Sequence, residues 1–167
     1  LLFCAALALT AMGQSPKATK PAPAGAGKPG ATSVEAELQR RVALVEAAKQ
    51  AQDPAGVARA SEAVIALGLR ILGQIRLLEA SPQQALELYT KAAQLEASPE
   101  TRLEMAVAAL SADQVDRAIT EAQLLITEQP GNAQAYYTLG RALTAKGENL
   151  KAAEALHRSV ELSPDLE

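Results

Sequence analysis

The chain has 167 residues, 49% of them hydrophobic and 21% charged, with a net charge of −3, one cysteine, one histidine and no tryptophan. A single thiol and a single imidazole exclude a Cys/His metal cluster, a disulfide framework and most nucleophile–base pairs. All 19 acidic residues but only 13 of the 16 basic ones lie after Ser33, and a chain body this acidic is poorly suited to nucleic acid.

An apolar run, Leu1 to Met12, opens the chain. It is shorter than the about 20 residues that span a bilayer and has the length of a secretory leader. Ala11-Met12-Gly13 is a small-x-small cleavage pattern, so the reading is a signal peptide over 1–13, a mature start at Gln14, and export to the periplasm or the extracellular space. The run has no initiator Met and no basic flank, from which a leader truncated at its N-terminus is expected. Cys4 stands behind Phe3 and Leu2 and before more apolar residues, which suits a small residue of the leader better than a lipidated cysteine.

Residues 14–33 are rich in Pro, Ala, Gly and Lys and hold no acidic residue, the composition of a disordered tether. Within them Gly25-Ala26-Gly27-Lys28 lacks the first glycine of a phosphate loop, has Pro29 in the hydroxyl slot and follows no strand, so it does not read as a nucleotide site.

From Val34 the apolar residues adopt a helical period. Val34, Leu38, Val42, Val45 and Ala48 predict an amphipathic helix over 34–51. Asp53-Pro54 supplies an N-cap and an N1 proline. Val57, Ser61, Val64, Gly68, Ile71, Ile75 and Leu78 then carry an unusually long second helix to about Glu79. Ser81-Pro82 starts a third, to about Glu96, and Ser98-Pro99 a fourth, to about Ala109. Three more are expected over 114–128, 132–146 and 149–162. No segment alternates as a strand does, and the fold class is all-α.

The last helices repeat. Tyr136, Leu139, Gly140 and Leu143, followed by Ala152, Leu156, Ser159 and Pro164, lie 34 residues after Arg102, Met105, Ala106 and Ala109, followed by Ala118, Ala122, Leu125 and Pro130. A third copy, 33 residues upstream, places Leu72-Gly73, Ala85, Tyr89 and Ala92 in the same slots. Such a period belongs to stacked helix pairs. The small residues Gly73, Ala106 and Gly140 face Ala85, Ala118 and Ala152 across each pair, which lets the helices approach closely, while Tyr89 and Leu156 fill the space between successive pairs.

This order of bulky, Leu-Gly, bulky, Ala-x3-bulky and closing Pro resembles the tetratricopeptide repeat from about Ala66 to the C-terminus, in copies at 66–98, 99–132 and 133–167 behind an N-terminal helical cap at 34–65. The middle copy keeps only the residue classes, and the first has Ala97 where the closing proline belongs, with Pro99 two residues on. The resemblance implies a right-handed α-solenoid of antiparallel helix pairs with an N-terminal helical extension. It also implies a protein–protein interaction module without catalysis or cofactor.

In the family the concave wall comes from first-helix positions beside the Leu-Gly pair. Here those are Arg70, Gln74 and Leu77, then Leu103, Val107 and Leu110, then Tyr137, Arg141 and Thr144. The expected groove is apolar in the middle with an arginine at either end, fit for a peptide segment or a partner protein. Arg70 and Gln74 resemble part of a clamp that some relatives close on a peptide's terminal carboxylate, but Glu104 stands where that clamp has Asn, and the third copy lacks its Lys. The alternative for Val107 and Leu110 is that they complete the core.

Glu154-Ala155-Leu156-His157 matches half of a di-iron element, which needs two such halves. His157 follows the bulky Leu156 and is expected on an exposed flank, so neither a metal nor an enzyme is read here. Two readings then compete: a scaffold in its own right, or the N-terminal repeat region of a larger exported protein, an enzyme among the choices, whose working domain follows residue 167. The final helix bears Leu150, Ala153, Leu156, Val160 and Leu162, more than one neighbour can cover, which points to further residues or to self-association through that face.

Overall fold

The computed structural model describes residues 31–163, with side chains from Val34 onward. The leader read over 1–13 and the tether up to residue 30 lie outside the described residues. Seven helices follow in order: α1 (Ala31–Gln50), α2 (Pro54–Leu78), α3 (Pro82–Leu95), α4 (Pro99–Ser111), α5 (Val115–Glu128), α6 (Ala133–Lys146) and α7 (Asn149–Leu162). Among the described residues there is no strand. α1 begins as soon as Gly30 is passed, inside the stretch read as tether, because nothing in Ala31-Thr32-Ser33 breaks a helix.

The punctuation works in two ways. Ser98 and Asn132 cap with their side chains, Oγ of Ser98 accepting from the Thr101 N–H at 3.1 Å and Oδ1 of Asn132 from the Ala135 N–H at 3.0 Å. Asp53 and Ser81 stand at N-cap positions but supply no side-chain cap bond. There the proline that follows does the work, because its fixed φ suits the first helical turn and it has no N–H to satisfy.

Four connections share one turn. Gln52, Ala80, Asp113 and Gly147 have φ of 54°, 54°, 58° and 85°. Each donates its N–H to the carbonyl three residues back, and the next residue donates to the one five back, as in Asp113 to Leu110 at 3.2 Å and Gln114 to Ala109 at 2.8 Å. This left-handed closure ends α1, α2, α4 and α6 and satisfies their last carbonyls. The α1–α2 connection is thus of the kind that joins helices within a pair. α2 then runs straight on for 25 residues, since Pro54–Leu78 contains no breaker like Ser98-Pro99 or Pro130-Gly131.

Helices pack antiparallel on their chain neighbours, and α4 also touches α6, giving a solenoid of helix pairs. Its core is built of small residues with a few large ones: Ala85, Ala106, Ala109, Ala118, Ala122 and Ala142 are fully buried, together with Tyr89 and Leu125. The glycine slots set the approach. A Cβ on Gly73 would stand 2.6 Å from Tyr89 Cε1, and one on Gly140 2.6 Å from Leu156 Cγ. Tyr89 and Leu156 therefore lie over the glycine of their own pair, where the periodicity had placed them between pairs. The glycine makes a recess and the knob fills it, which brings the helix axes closer than two side chains would allow.

α1 is fastened by Arg41, which donates to Glu37 at 2.8 Å, to the Ala63 carbonyl at 2.7 Å and to the Glu96 carboxylate at the end of α3. It runs past the face of α2 that carries Arg70 and Gln74, and a pocket of about 380 Å³ between them is lined by Val34, Glu37 and Arg40 on one side and Leu67, Arg70 and Gln74 on the other. The face of α2 carrying Leu72 and Ile75 is left exposed.

Candidate functional site

The nine residues expected on the concave wall stand on three successive helices: Arg70, Gln74 and Leu77 on α2, Leu103, Val107 and Leu110 on α4, and Tyr137, Arg141 and Thr144 on α6. Leu77 and Leu110 are half-buried and pack against the core. Leu103 and Val107 are half-buried on α4. Val107 also lends its carbonyl to the Ser111 hydroxyl at 3.0 Å.

The α2 end is closed from within. Arg70 Nε donates to Glu104 Oε2 at 2.7 Å, Arg70 Nη2 to Glu104 Oε1 at 3.1 Å, and Gln74 Nε2 to the same Oε1 at 3.0 Å. Both sides of this fork are largely withdrawn from water, with side-chain exposures of 15% and 17%. Burial alone would disfavour the guanidinium charge, and the hydrogen bonds and charge of Glu104 outweigh it, holding the Arg70 pKa above its ordinary value. Glu104 was legible in the sequence as a departure from a clamp. In the fold its carboxylate is the hydrogen-bond acceptor for both Arg70 and Gln74.

The α6 end is open. The Arg141 guanidinium lies over the Tyr137 ring, 5.8 Å from its centroid, and both residues are exposed. An arginine set over an aromatic face keeps its donors available for an incoming acceptor. Thr144 turns its hydroxyl back to the Gly140 carbonyl at 2.9 Å and is spent on its own helix.

On the outer side, α5, α6 and α7 enclose a groove of about 540 Å³ with Ile119, Leu139 and Leu143 on its floor and Lys146, Lys151 and Glu154 at its rim. Lys146 there binds Asp116 at 2.8 Å. Among the described residues no group of three or more His, Cys, Asp or Glu could hold a metal ion, and no helix is long and apolar enough to cross a membrane. His157 is 76% exposed, on the flank where its spacing placed it.

No family profile and no curated protein matches the chain. Solved structures do. The first TPR domain of human RPAP3 aligns over 60% of this chain and 80% of its own, at 22% identity and a TM-score of 0.58. The first TPR of Spaghetti (RPAP3), bound to the HSP90 peptide SRMEEVD, aligns over 62% and 82% at 22% identity and a TM-score of 0.58. A crystal structure of MamA aligns over 74% and 76% at 26% identity and a TM-score of 0.57. The chain has the tetratricopeptide-repeat fold, a solenoid of antiparallel helix pairs with an N-terminal helical extension.

Proposed function

We propose that the chain is a non-catalytic scaffold of three repeats whose concave face receives a segment of a partner protein. That segment lies along Leu103 and Val107 and is anchored by an acidic group at Arg141. The observation that carries this reading is the contrast between the two ends of the wall: Arg70 and Gln74 are saturated by Glu104, while Arg141 rests on Tyr137 with no carboxylate beside it among the described residues. A TPR domain of the same fold is bound to the acidic peptide SRMEEVD, which supports peptide recognition by such a wall. Here the saturated end disfavours a terminal carboxylate and favours an internal segment, held by apolar contact at its middle and by charge near one end.

Export belongs to the same proposal, supported by the apolar run Leu1–Met12 and the Ala11-Met12-Gly13 pattern. N-terminal sequencing of the chain recovered from a secreting host should begin at Gln14.

The binding reading is tested by selecting peptides from a displayed library on the chain and measuring them by calorimetry. Selected peptides should pair apolar residues with an acidic one, and should lose at least about tenfold in affinity to Val107→Asp and to Arg141→Glu. Leu124→Glu, on the exposed side of α5, should bind as the parent does. Binders indifferent to both wall substitutions would place recognition elsewhere.

A further inference from the structure

Among the described residues the repeat leaves one surface uncovered at each end, and the two are halves of an interface that the chain already builds twice. On α2 the open face carries Gly68, Leu72 and Ile75. Their counterparts on α4 are Thr101, Met105 and Ala108, and on α6 Ala135, Leu139 and Ala142. Met105 is 7% exposed and Ala108 fully buried, against 49% for Leu72 and 42% for Ile75. The difference lies in the neighbour: α4 is covered by α3 and α6 by α5, while α1, the helix before α2, packs beside Leu67, Arg70 and Gln74 and leaves Leu72 and Ile75 exposed.

The covering helices show the complementary pattern. Leu86 of α3 and Ile119 of α5 are buried in the same core cluster as Met105, Ala108 and Ala142, Ala93 of α3 packs against it, and Ile126 of α5, in the same slot as Ala93, is half-buried. The counterparts on α7 are Ala153 and Val160, both exposed, Val160 at 52%. The grooves agree. The outer groove over α6 is lined by Leu139, Leu143, Lys151 and Glu154 plus Ile119 and Gln123 of α5. The depression between α2 and α3 is lined by Leu72, Arg76, Gln84 and Glu87, the same positions two repeats earlier, without the wall that α5 supplies. That wall in its next copy is Ala153 and His157 of α7.

We infer that a second copy of this chain supplies the missing wall: α7 of one copy packs on α2 of the next, as α5 packs on α6, and extends the solenoid head to tail. The two surfaces differ, so the contact is heterologous and open-ended rather than closed at two. It is continuous with the interfaces inside the chain and buries apolar residues at both ends that otherwise face water.

Sedimentation of the chain with single substitutions at either end tests this. The parent should gain mass with concentration past twice the protomer mass of 17.4 kDa. Leu72→Asp, with its head blocked, and Val160→Asp, with its tail blocked, should each remain monomeric, with unchanged helicity by circular dichroism since both side chains are about half exposed. Mixed, the two should give a discrete dimer and no more, through the intact tail of the first and the intact head of the second. A parent that stays monomeric to about millimolar concentration would assign these faces to another occupant and overturn the inference. So would one variant dimerising alone, which marks a symmetric contact, or a mixture that stays monomeric.

Discussion

Glu104 of α4 takes both donors that α2 directs toward the concave wall, the guanidinium of Arg70 and the amide of Gln74, 34 and 30 residues earlier in the chain. In the proposed binding mode the groove therefore meets its partner with one end already neutralised. Removing that internal carboxylate should convert the end into a receptor. Glu104→Gln is expected to raise affinity for an acidic peptide with a free C-terminal carboxylate by about tenfold, the scale of one charge-assisted hydrogen bond, and to leave its amidated form unchanged. Calorimetry of both peptides on both proteins checks this. Equal gains for acid and amide would mean that Arg70 does not face the ligand.

Gly73 and Gly68 lie on one helix and should answer the same substitution with opposite signs. A Cβ at Gly73 would enter the buried Tyr89 ring, 2.6 Å from Cε1 and 2.8 Å from Cζ, while one at Gly68 meets nothing within 4 Å. Gly73→Ala is expected to cost about 1–3 kcal/mol by overpacking. Gly68→Ala should stabilise by about 0.5–1 kcal/mol through the lost flexibility of the unfolded chain. Urea midpoints at low protein concentration decide, and a destabilising Gly68→Ala would contradict the open face on α2.

The close approach at Gly73 and Gly140 was legible because it depends on residues at fixed spacing, as were most helix ends, marked by Ser98-Pro99, Gln129-Pro130 and Ser163. What the period could not convey is how the copies differ. Leu72, Met105 and Leu139 occupy one slot, yet Leu72 is exposed because a slot is buried only if the preceding pair exists. Glu104 read as a mismatch because its partners sit a whole repeat away, at a distance set by superhelical geometry rather than by sequence spacing. The path of α1 beside Arg70 rests on Arg41 reaching Ala63 and Glu96, contacts that no amphipathic pattern encodes.

The shared left-handed turn is occupied unevenly. Ala80 and Asp113 hold φ near +54° and +58°, a conformation that glycine adopts without the Cβ penalty and that Gly147 occupies at the fourth turn. Ala80→Gly should therefore stabilise by a few tenths of a kcal/mol or more, and Gly147→Ala should destabilise by about 1 kcal/mol. Thermal unfolding of the two variants reads both signs in one experiment. Loss of stability in Ala80→Gly would mean that its methyl contributes packing that outweighs the strain.

Tyr89 carries the last expectation. Its ring fills the recess over Gly73 with no exposure, yet its hydroxyl has no hydrogen-bond partner among the described residues. A buried unpaired hydroxyl is a cost, so Tyr89→Phe should keep or raise stability, by up to about 1 kcal/mol, although it removes an atom from the core. The same burial, aided by the nearby Glu104 charge, pushes the Tyr89 pKa well above the ordinary phenol value of 10.0. In the unfolded chain the phenol ionises near 10, so between that value and the raised native one the native state holds a proton the unfolded state has lost. Stability from this group is complete below pH 10 and declines as pH climbs beyond it. In urea titrations from about pH 8 to 11.5, the parent should lose stability at the alkaline end more steeply than Tyr89→Phe, because the variant has no proton to surrender there. Parallel losses in the two proteins would place the alkaline sensitivity on other groups and would show that the Tyr89 hydroxyl has found a partner or reached water.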